Sequence, residues 1–386
     1  MRVLMNLWEW PPYHSGGLGI AAAALARAVA RAGAEVLVHA WTAHAPELES
    51  YPGGGVLDVR PGQGSIRSGG SRSSYVGLGL DGVRRFAAAT TELARSERFD
   101  IIHAHDWHAF PGAIAARSLS GRPLVVQLHS FEQDRVCSEA AGVDRARERI
   151  ERAGIAAAAR VLCVSHGSST QAAELHPTGP RLRVIHGAVE PELALPARVP
   201  APPRMDGTDP QVLFLGRLTH QKAPGRLLAA MPLILEQLPE TRLILVGDGD
   251  LRDGLEREVR RRGLGARVDF RGWLSREEVL ACIDRASLLV MPSRREPFGL
   301  AALEAAARGV PVVLDRVCGV SEVLTEAPTV DSARPADLAA EILRLLRSPE
   351  ACQDLGARLA AQAAAATWDD RASSLLRIYS ELVANP

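Results

Sequence analysis

The chain contains one segment that strongly constrains its fold, a strand, a tight turn and a helix in direct succession. The apolar run at residues 287–291 predicts a buried strand, and Pro297 and Gly299 then mark a turn. Residues 300–308 are rich in alanine and leucine with no helix breaker, so they predict a helix. A carboxylate, Glu296, therefore lies in a loop that leads from a strand into a helix.

The start of this predicted helix is suited to bind a phosphate. Helix N-termini carry unpaired N–H groups and partial positive charge, so Phe298, Gly299 and Leu300 are expected to present donors to a phosphate. Glu304 follows about a turn and a half into the helix, where side chains lean back toward the N-terminus. A second carboxylate therefore leans toward the same ligand, at the distance of a ribose or a similar polyol.

The motif Pro-Ser-Arg-Arg-Glu-Pro-Phe-Gly-Leu, with seven residues between Glu296 and Glu304, resembles the E-x7-E signature of retaining glycosyltransferases of family GT4. Two glutamates at this spacing are more often a solvated helical pair, so the surrounding strand, proline and glycine carry the resemblance. Members of this family use nucleotide-sugar donors. The resemblance implies an α/β protein of the GT-B fold, with two Rossmann-like domains that face each other across a cleft.

Length and charge limit the classes of protein to which the chain can belong. With 386 residues it has room for two ordinary domains. Its 45 basic and 45 acidic residues balance, so no net charge attracts nucleic acid or an anionic membrane. We expect no nucleic-acid partner and at most a weak contact with a membrane surface, and any phosphate binding must be local.

Cysteine usage and the hydrophobic pattern predict a cytoplasmic protein. The five cysteines are scattered and contain no C-x-x-C pair, which argues against a disulfide framework and against a zinc site. The chain opens on a predicted strand instead of a long apolar signal segment. No stretch of 18 apolar residues is uninterrupted, so no transmembrane helix is predicted.

A proline-rich polar stretch divides the chain into two α/β parts. Residues 195–210 lack periodicity and have the composition of a linker. We predict an acceptor-side domain at residues 1–195 and a nucleotide-sugar-binding domain at residues 209–367. The final amphipathic helix at residues 368–386 resembles the C-terminal helix of GT4 enzymes and is expected to cross back onto the first domain. Residues 51–77, rich in glycine and serine, are predicted to be a mobile surface loop that can include an edge strand.

A glycine-rich turn follows the first predicted strand. Gly16 and Gly17 let a backbone approach a ligand at a helix start, although a tight turn alone explains them equally well. The spacing is not G-x-G-x-x-G, which argues against an NAD enzyme. Trp-Glu-Trp-Pro-Pro followed by Gly-Gly-Leu-Gly resembles the opening of GT4 enzymes on the glycogen-synthase-like branch. His14 stands where bacterial glycogen synthases carry a lysine.

Two further strands of the first domain are followed by polar side chains. Asp106 follows one strand and His129 follows the next, so both lie at the sheet edge where open α/β sheets bind ligands. The resemblance implies that Asp106 contacts sugar hydroxyls and that His129 lies against the transferred sugar. His103, His105 and His108 could indicate zinc, but side chains alternate along a strand and the family uses no metal here.

Two cations follow the first strand of the second domain. Arg217 and Lys222 resemble the G-R-L-x-x-x-K-G motif whose Arg and Lys hold the donor diphosphate, although Ala-Pro displaces the glycine to position 225. Residues 247–250, Gly-Asp-Gly-Asp, superficially offer the D-x-D of metal-dependent transferases. Their position between a strand and a helix instead favours a turn near a phosphate, with Gly247 as its first residue and no metal.

These residues together predict a metal-independent glycosyl transfer with no cofactor. Arg217, Lys222 and the helix start at residues 298–300 are suited to stabilise a departing diphosphate. The resemblance implies retention of configuration, with Glu296 bound to hydroxyls of the donor sugar and Glu304 to the ribose. The expected reaction moves a hexosyl group, in the first instance glucosyl from UDP- or ADP-glucose, to a hydroxyl of a glucan, a small molecule or a lipid.

Two alternatives remain open at this point. The same fold serves nucleotide-sugar epimerases and phosphorylases, but the pair of Asp106 and His129 favours transfer to an acceptor. A non-catalytic sugar-nucleotide-binding protein is the second alternative, and the presence of both cations and both glutamates argues against it. The sequence specifies neither the sugar, the base, the acceptor nor the oligomeric state, nor whether residues 51–77 become ordered on substrate binding.

Overall fold

The structure is a computed structural model, and it contains two sheets of mostly parallel strands surrounded by helices. It describes residues 1–11, 16–41, 47–62, 79–135, 144–176, 181–190, 193 and 209–385. We call residues 1–190 the first lobe and residues 209–367 the second lobe. The predicted linker falls almost entirely outside the described residues, so the domain boundary stays a prediction.

Within the described residues the first sheet has eight strands: β1 (Arg2–Leu7), β2 (Glu35–Ala40), β3 (Glu47–Ser50), β4 (Val56–Pro61), β5 (Ile101–His105), β6 (Leu124–Leu128), β7 (Arg160–Cys163) and β8 (Leu182–Val184). Their order is β3-β4-β2-β1-β5-β6-β7-β8, and only β3 runs antiparallel to its neighbour. The helices of this lobe are α1 (Gly17–Arg31), α2 (Gly79–Ser96), α3 (Asp106–Ser120), α4 (Arg145–Ala157) and α5 (His166–Leu175). Strands β5 and β6 are buried throughout, as expected for a parallel sheet covered by helices on both faces.

The second sheet has six strands in the described part of the chain, all parallel: β9 (Gln211–Leu215), β10 (Arg242–Val246), β11 (Val268–Gly272), β12 (Leu288–Met291), β13 (Val312–Asp315) and β14 (Thr329–Val330). Its order is β11-β10-β9-β12-β13-β14. The remaining helices are α6 (Pro224–Gln237), α7 (Arg252–Arg261), α8 (Arg276–Arg285), α9 (Leu300–Ala307), α10 (Pro335–Leu346), α11 (Pro349–Ala364) and α12 (Trp368–Ala384). None of the helices in the described ranges combines the length and the apolar composition needed to cross a bilayer.

Each sheet has a point beside its first strand at which the strand order changes direction. In the first sheet this point lies between β1 and β5, and in the second it lies between β9 and β12. Open α/β sheets bind ligands in the crevice outside the carboxyl ends of the strands at such a point. The loops after these four strands therefore line the crevices in which a ligand is expected.

The last helix, α12, lies on the first lobe, although it follows the second lobe in the chain. Its face packs against α1, and Asp369 forms a 2.8 Å ion pair with Arg31. Deeper in the contact, the Tyr379 hydroxyl lies 2.6 Å from His103 Nδ1, and both side chains are buried. The C-terminal helix thus reaches the interior of the first lobe next to β5.

The stretch at residues 51–77 contains more regular structure than a surface loop. Residues 56–61 form β4, which pairs in parallel with β2 and antiparallel with β3. Leu57 and Val59 point inward and are fully buried, and this alternation stabilises the strand although the neighbouring residues are rich in glycine. Residues 63–78 lie outside the described part of the chain.

Candidate active site

The loops after β9 and β12 are joined by an ion pair at the crevice of the second lobe. Lys222 Nζ lies 2.5 Å from Glu296 Oε2, and the Ser293 hydroxyl donates to the same oxygen at 3.0 Å. Glu296 is only 6% exposed, so these two partners hold a carboxylate that is largely shielded from water. The N–H of Arg294 donates to the carbonyl of Gln221 at 2.8 Å and ties the same two loops together. The predicted donor-side cation and carboxylate therefore form one unit.

Composition contains a signal for this site that the motif alone does not show. The 45 cationic residues of the chain include a single lysine, Lys222. An ammonium group is a compact point charge with three rotatable donors, whereas a guanidinium is a planar fork. A lysine can therefore contact a carboxylate and a phosphate from one position in a narrow crevice.

Arg217 and Gly247 belong to the adjoining loops after β9 and β10. Arg217 Nη2 donates to Gln221 Oε1 at 3.1 Å. Gly247 has φ 126°, and a methyl group on it would lie 2.1 Å from the carbonyl oxygen of Gly216. Its N–H donates to the carbonyl of Gly272 at 2.8 Å. Only glycine permits this close contact between two backbones, which holds the Arg217 loop against its neighbour.

The helix α9 begins immediately after the Glu296 loop. Its first residue is Leu300, and the preceding Gly299 has φ 115°, where a side chain would lie 2.9 Å from Met291 Sδ. The N–H groups of the first turn point back toward the loop, so the positive end of the helix lies beside Glu296. The Phe298 ring is buried against the first lobe, 2.5 Å from the position of a methyl group on Gly187.

Glu304 has a partner that the sequence did not reveal. Arg276 Nη1 donates to Glu304 Oε2 at 2.9 Å, and Nη2 lies 2.9 Å from Oε1. Burial lowers the pKa of Arg276, but the hydrogen bond and charge of Glu304 outweigh it and raise that pKa. Glu304 is 8% exposed, so any ligand that binds this carboxylate would share it with Arg276. No local spacing could have indicated Arg276, because it lies on another helix.

In the first lobe, β5 and β6 bring Asp106 and His129 together. Asp106 Oδ1 accepts a 2.7 Å hydrogen bond from the backbone N–H of His129. Asp106 is buried and has φ 58°, a left-handed conformation that is uncommon for a residue other than glycine and is often found at functional sites. His105 Nδ1 lies 3.0 Å from His129 Nε2, so one ring donates to the other.

The ring of His129 has two further histidines behind it. The rings of His103 and His105 lie with centroids 4.2 Å apart on one face of β5. Burial, with the charge of His129 as the next cause, lowers the pKa of His103 to about 3. Burial, followed by the charges of His103 and His129, holds the pKa of His105 well below its ordinary value. Both rings are therefore neutral at pH 7.

The three histidines around β5 do not form a metal centre in the described part of the protein. His103 and His105 point to the same face of the strand, so alternation does not separate them as the sequence analysis assumed. His108 instead stacks between Trp8 and Trp107, with ring centroids 4.7 and 3.8 Å away. The group of side chains with the spacing of metal ligands in the described residues is instead His166, His186 and Glu322.

The glycine-rich turn after β1 is described in part. Gly16 is the N-cap of α1 with an extended backbone, so it does not need the conformational freedom of glycine. A methyl group on Gly17 would lie 3.2 Å from Leu300 Cδ1 in the other lobe. The small size of Gly17 thus serves the contact between lobes. His14 lies outside the described residues.

The carboxyl ends of the two sheets face each other. Gly17, which opens the helix after β1, contacts Leu300, which opens the helix after β12. Arg295 Nη1, in the Glu296 loop, lies 3.9 Å from Asp134 Oδ1 of the first lobe. The loops that carry Lys222 and Glu296 therefore lie on the side of the second lobe that faces the strand ends of the first lobe.

Two facing α/β lobes with their ligand crevices opposed define the GT-B class of proteins. Comparison with known sequences agrees: the family described as Glycosyltransferase Family 4 matches residues 15–193, and that described as Glycosyl transferases group 1 matches residues 198–361. The glycogen synthase of Mycobacterium tuberculosis (strain ATCC 25618 / H37Rv) is 30% identical over 398 residues, which cover 98% of this chain and 94% of that protein. The chain belongs to glycosyltransferase family 4, and it is a glycosyltransferase.

Other comparisons agree with this assignment. The D-inositol 3-phosphate glycosyltransferase of Pseudarthrobacter chlorophenolicus is 29% identical over 96% of this chain and 91% of its own length. The structure of sucrose-phosphate synthase from Thermosynechococcus elongatus superposes with a TM-score of 0.81 at 23% identity and covers 100% of both chains. Anabaena HepE in complex with UDP-glucose gives a TM-score of 0.73 at 19% identity and covers 97% of this chain and 99% of its own. The predicted family, enzyme class and GT-B fold are confirmed.

Proposed function

We propose that this protein is a retaining hexosyltransferase that moves a glucosyl group from UDP- or ADP-glucose to a hydroxyl acceptor without a metal ion. The observation that carries the proposal is the pairing of the only lysine with buried Glu296 at the crevice of the second lobe. A single ammonium at this position, beside a helix N-terminus, is suited to hold a diphosphate. The names of two similar proteins, one of them bound to UDP-glucose, support this choice of donor class.

In the proposed reaction the bond between the anomeric carbon and the diphosphate oxygen breaks, and its electron pair leaves with the diphosphate. Lys222, Arg217 and the N–H groups at the start of α9 stabilise the negative charge that develops there. The acceptor oxygen forms the new bond on the face from which the diphosphate departs, and its proton passes to the departing phosphate. Glu296, oriented by Lys222 and Ser293, accepts hydrogen bonds from hydroxyls of the donor sugar.

The first lobe is proposed to bind the acceptor and to face the transferred sugar. Asp106 contacts sugar hydroxyls, and His129 lies against the anomeric centre as it gains positive charge. The neutral ring of His105 fixes the orientation of the His129 ring through their 3.0 Å contact. On the donor side, Glu304 binds the ribose while Arg276 holds the carboxylate in place.

The acceptor that we propose is a glucan or a maltosyl chain. The glycogen synthase relative aligns over 98% of this chain, and its name indicates a glucan product. A small polyol phosphate is the second candidate, because the D-inositol 3-phosphate glycosyltransferase aligns over 96%. Parallel incubation with maltooligosaccharides and with inositol phosphates distinguishes the two.

Transfer is tested by incubating the protein in EDTA with UDP-, ADP- and GDP-glucose and both acceptor pools. Product masses identify the acceptor, and NMR of the new linkage identifies the anomeric configuration. We expect an α-linked product whose rate does not change when EDTA is replaced by Mg²⁺. A β-linked product, or donor conversion without an acceptor, would contradict the proposal and would favour an inverting enzyme or an epimerase.

The role of the unique lysine has a direct test that does not require turnover. An amine-reactive acylating reagent can modify Lys222, whose side chain is 22% exposed, and peptide mass spectrometry separates it from the N-terminal amine. UDP or ADP at saturation should protect Lys222. Protection without transfer to any acceptor would support a non-catalytic nucleotide-binding protein, and equal labelling with and without nucleotide would refute the diphosphate contact.

Substitutions of Lys222 and Glu296 test the proposed roles of these residues by kinetics. Lys222→Met and Glu296→Gln should each lower kcat/KM by about 10²–10³, the cost of removing one preorganised electrostatic partner. The control is Arg285→Met, which removes an exposed cation of the same lobe and should leave kcat/KM unchanged. Near-normal transfer by the Lys222 variant would show that another group stabilises the departing diphosphate.

A further inference from the structure

A carboxylate of the second lobe caps a helix of the first lobe. Glu322 lies at the end of a short 3₁₀ turn, Gly319–Glu322, that follows β13. Its Oε2 accepts a 2.7 Å hydrogen bond from the N–H of His166, and its Oε1 accepts a 3.0 Å hydrogen bond from the N–H of Gly167. His186 Nε2 lies 2.7 Å from the same Oε2. One side chain thus makes three polar contacts across the cleft.

The helix α5 needs this outside partner. Ser165 and Ser168 form a capping box, in which the Ser165 hydroxyl accepts from the N–H of Ser168 and the Ser168 hydroxyl accepts from the N–H of Ser165. The capping box provides no acceptor for the N–H groups of His166 and Gly167, and the carboxylate of Glu322 accepts from both. A carboxylate also interacts favourably with the positive end of a helix.

The charge of Glu322 is stabilised by these contacts. Burial raises the pKa of its carboxyl group, but the hydrogen bonds from His166, His186 and Gly167 outweigh burial, so the pKa is lowered. Glu322 is therefore ionised at neutral pH in this arrangement. Separation of the lobes would return the carboxylate and the two N–H groups to water.

The turn that carries Glu322 is also bonded to the Glu296 loop. The N–H of Gly319 donates to the carbonyl of Glu296 at 3.0 Å, and the N–H of Val320 donates to the carbonyl of Phe298 at 2.7 Å. A methyl group on Gly319 would lie 2.2 Å from the carbonyl oxygen of Pro297 and 2.7 Å from Ser165 Cβ. The Glu296 loop, the 3₁₀ turn and helix α5 therefore meet at Gly319.

The same side chains could be taken for a metal site. His166, His186 and Glu322 have ligating atoms within 4.8 Å of one another, the group of this kind found in the described residues. Both carboxylate oxygens, however, already accept hydrogen bonds. A cation would also lie at the positive end of α5, where the helix dipole opposes it. The geometry therefore favours direct capping over metal binding.

We propose that Glu322 is a positioning residue for glycosyl transfer: by capping α5 it stabilises the closed lobes, and through Gly319 and Val320 it holds the Glu296 loop in place at the same time. Closure of the two lobes and alignment of the Glu296 loop then occur together. This inference rests on the proposed function, since it assigns Glu322 a role in that reaction. The contact itself can be tested without turnover.

The experiment compares Glu322→Gln with Glu326→Gln in EDTA, with and without UDP. Glu326 is an exposed carboxylate four residues further on that pairs with Arg358 of its own lobe, so it controls for the loss of one negative charge. Residue-resolved hydrogen exchange reports on the N–H groups of His166 and Gly167, and small-angle scattering reports on the radius of gyration. A Gln places one NH₂ against a backbone N–H, so one of the two caps is lost.

We expect exchange at these two N–H groups to rise about five- to thirty-fold in Glu322→Gln, the effect of losing a helix cap, with a larger radius of gyration. Glu322→Asp, whose shorter side chain reaches only one N–H but keeps the negative charge at the helix N-terminus, should be intermediate, and Glu326→Gln should match the wild type. UDP affinity by calorimetry should change less than about three-fold, while kcat/KM for transfer falls about ten-fold.

Several outcomes would overturn the inference. Unchanged exchange and scattering in Glu322→Gln would show that the lobes close without this cap. Opening of the wild-type protein in EDTA, reversed by Zn²⁺, would show that a metal ion makes the contact instead. If the wild type transfers no sugar at all, the proposed function fails, but exchange and scattering still decide whether Glu322 holds the lobes together.

Discussion

Three buried histidines should make the first lobe sensitive to acid. Burial lowers the pKa of His39 to about 4, and burial followed by the charge of His129 lowers that of His103 to about 3. His105 lies well below the ordinary value of 6.5, first because of burial. In the unfolded chain each imidazole has a pKa of about 6.5, so the unfolded state binds more protons than the folded state at mildly acidic pH.

The sign and size of the effect follow from this difference. Because the folded pKa values are depressed, the stability is fully present above pH 6.5 and is lost as the pH falls toward the folded values of about 3 to 4. Between about pH 7.5 and 5.5, His39 and His103 together should reduce the free energy of unfolding by about 3 kcal/mol, and His105 should change it in the same direction. This is a large part of the stability of an ordinary domain, about 5–15 kcal/mol.

Urea unfolding at a series of pH values measures this loss. Trp8 and Trp41 are stacked in the core of the first lobe, with ring centroids 5.4 Å apart, so tryptophan fluorescence reports on its unfolding. The variant His39→Gln keeps a polar group beside Asn6 but removes one titrating histidine. Its free energy of unfolding should therefore fall less with pH, by the contribution of that one histidine. Equal pH dependence in the variant and the wild type would refute the assignment of His39 as a buried neutral ring.

Two further substitutions test particular contacts. Tyr379→Phe removes the hydroxyl from buried His103 and should cost about 1–3 kcal/mol, seen as a Tm about 2–4 °C lower per kcal/mol in calorimetry. An unchanged Tm would show that this contact adds nothing to the docking of α12. Gly247→Ala introduces a methyl group 2.1 Å from the Gly216 carbonyl oxygen and should destabilise the second lobe and, on the proposed function, abolish UDP binding. Gly263→Ala, with φ 69° but open space around it, should cost only about 1–2 kcal/mol in urea unfolding, and equal costs would show that the close contact is unimportant.

Much of the candidate site could be predicted because its residues lie in the loops that directly follow predicted strands. The loop with Glu296 follows one apolar strand, and the loop with Lys222 follows another. In a parallel sheet the carboxyl ends of all strands lie on one edge, so residues that follow strands must converge there. The roles assigned to Asp106 and His129 in the reaction stay predictions, although the structure does bring these two residues together.

Two local features depend on partners that the surrounding residues do not indicate. Residues 56–61 form a strand because β2 and β3 flank them, and glycine content alone could not show this. The small size of Gly17 accommodates Leu300 of the other lobe, and its role in a ligand-binding turn stays a prediction. Leu300 lies far along the chain from Gly17, where a local pattern carries no information about it.

The sequence alone determined the succession of strands and helices, the two α/β parts, and the motifs that indicated the family. These properties depend on hydrophobic periodicity and on turn residues within a few positions of one another. Only the tertiary structure showed that Arg276 holds Glu304, that Tyr379 reaches His103, and that Glu322 caps the helix of the opposite lobe. Each of these contacts joins side chains on separate elements, so it exists only after the sheets have formed and the lobes have met.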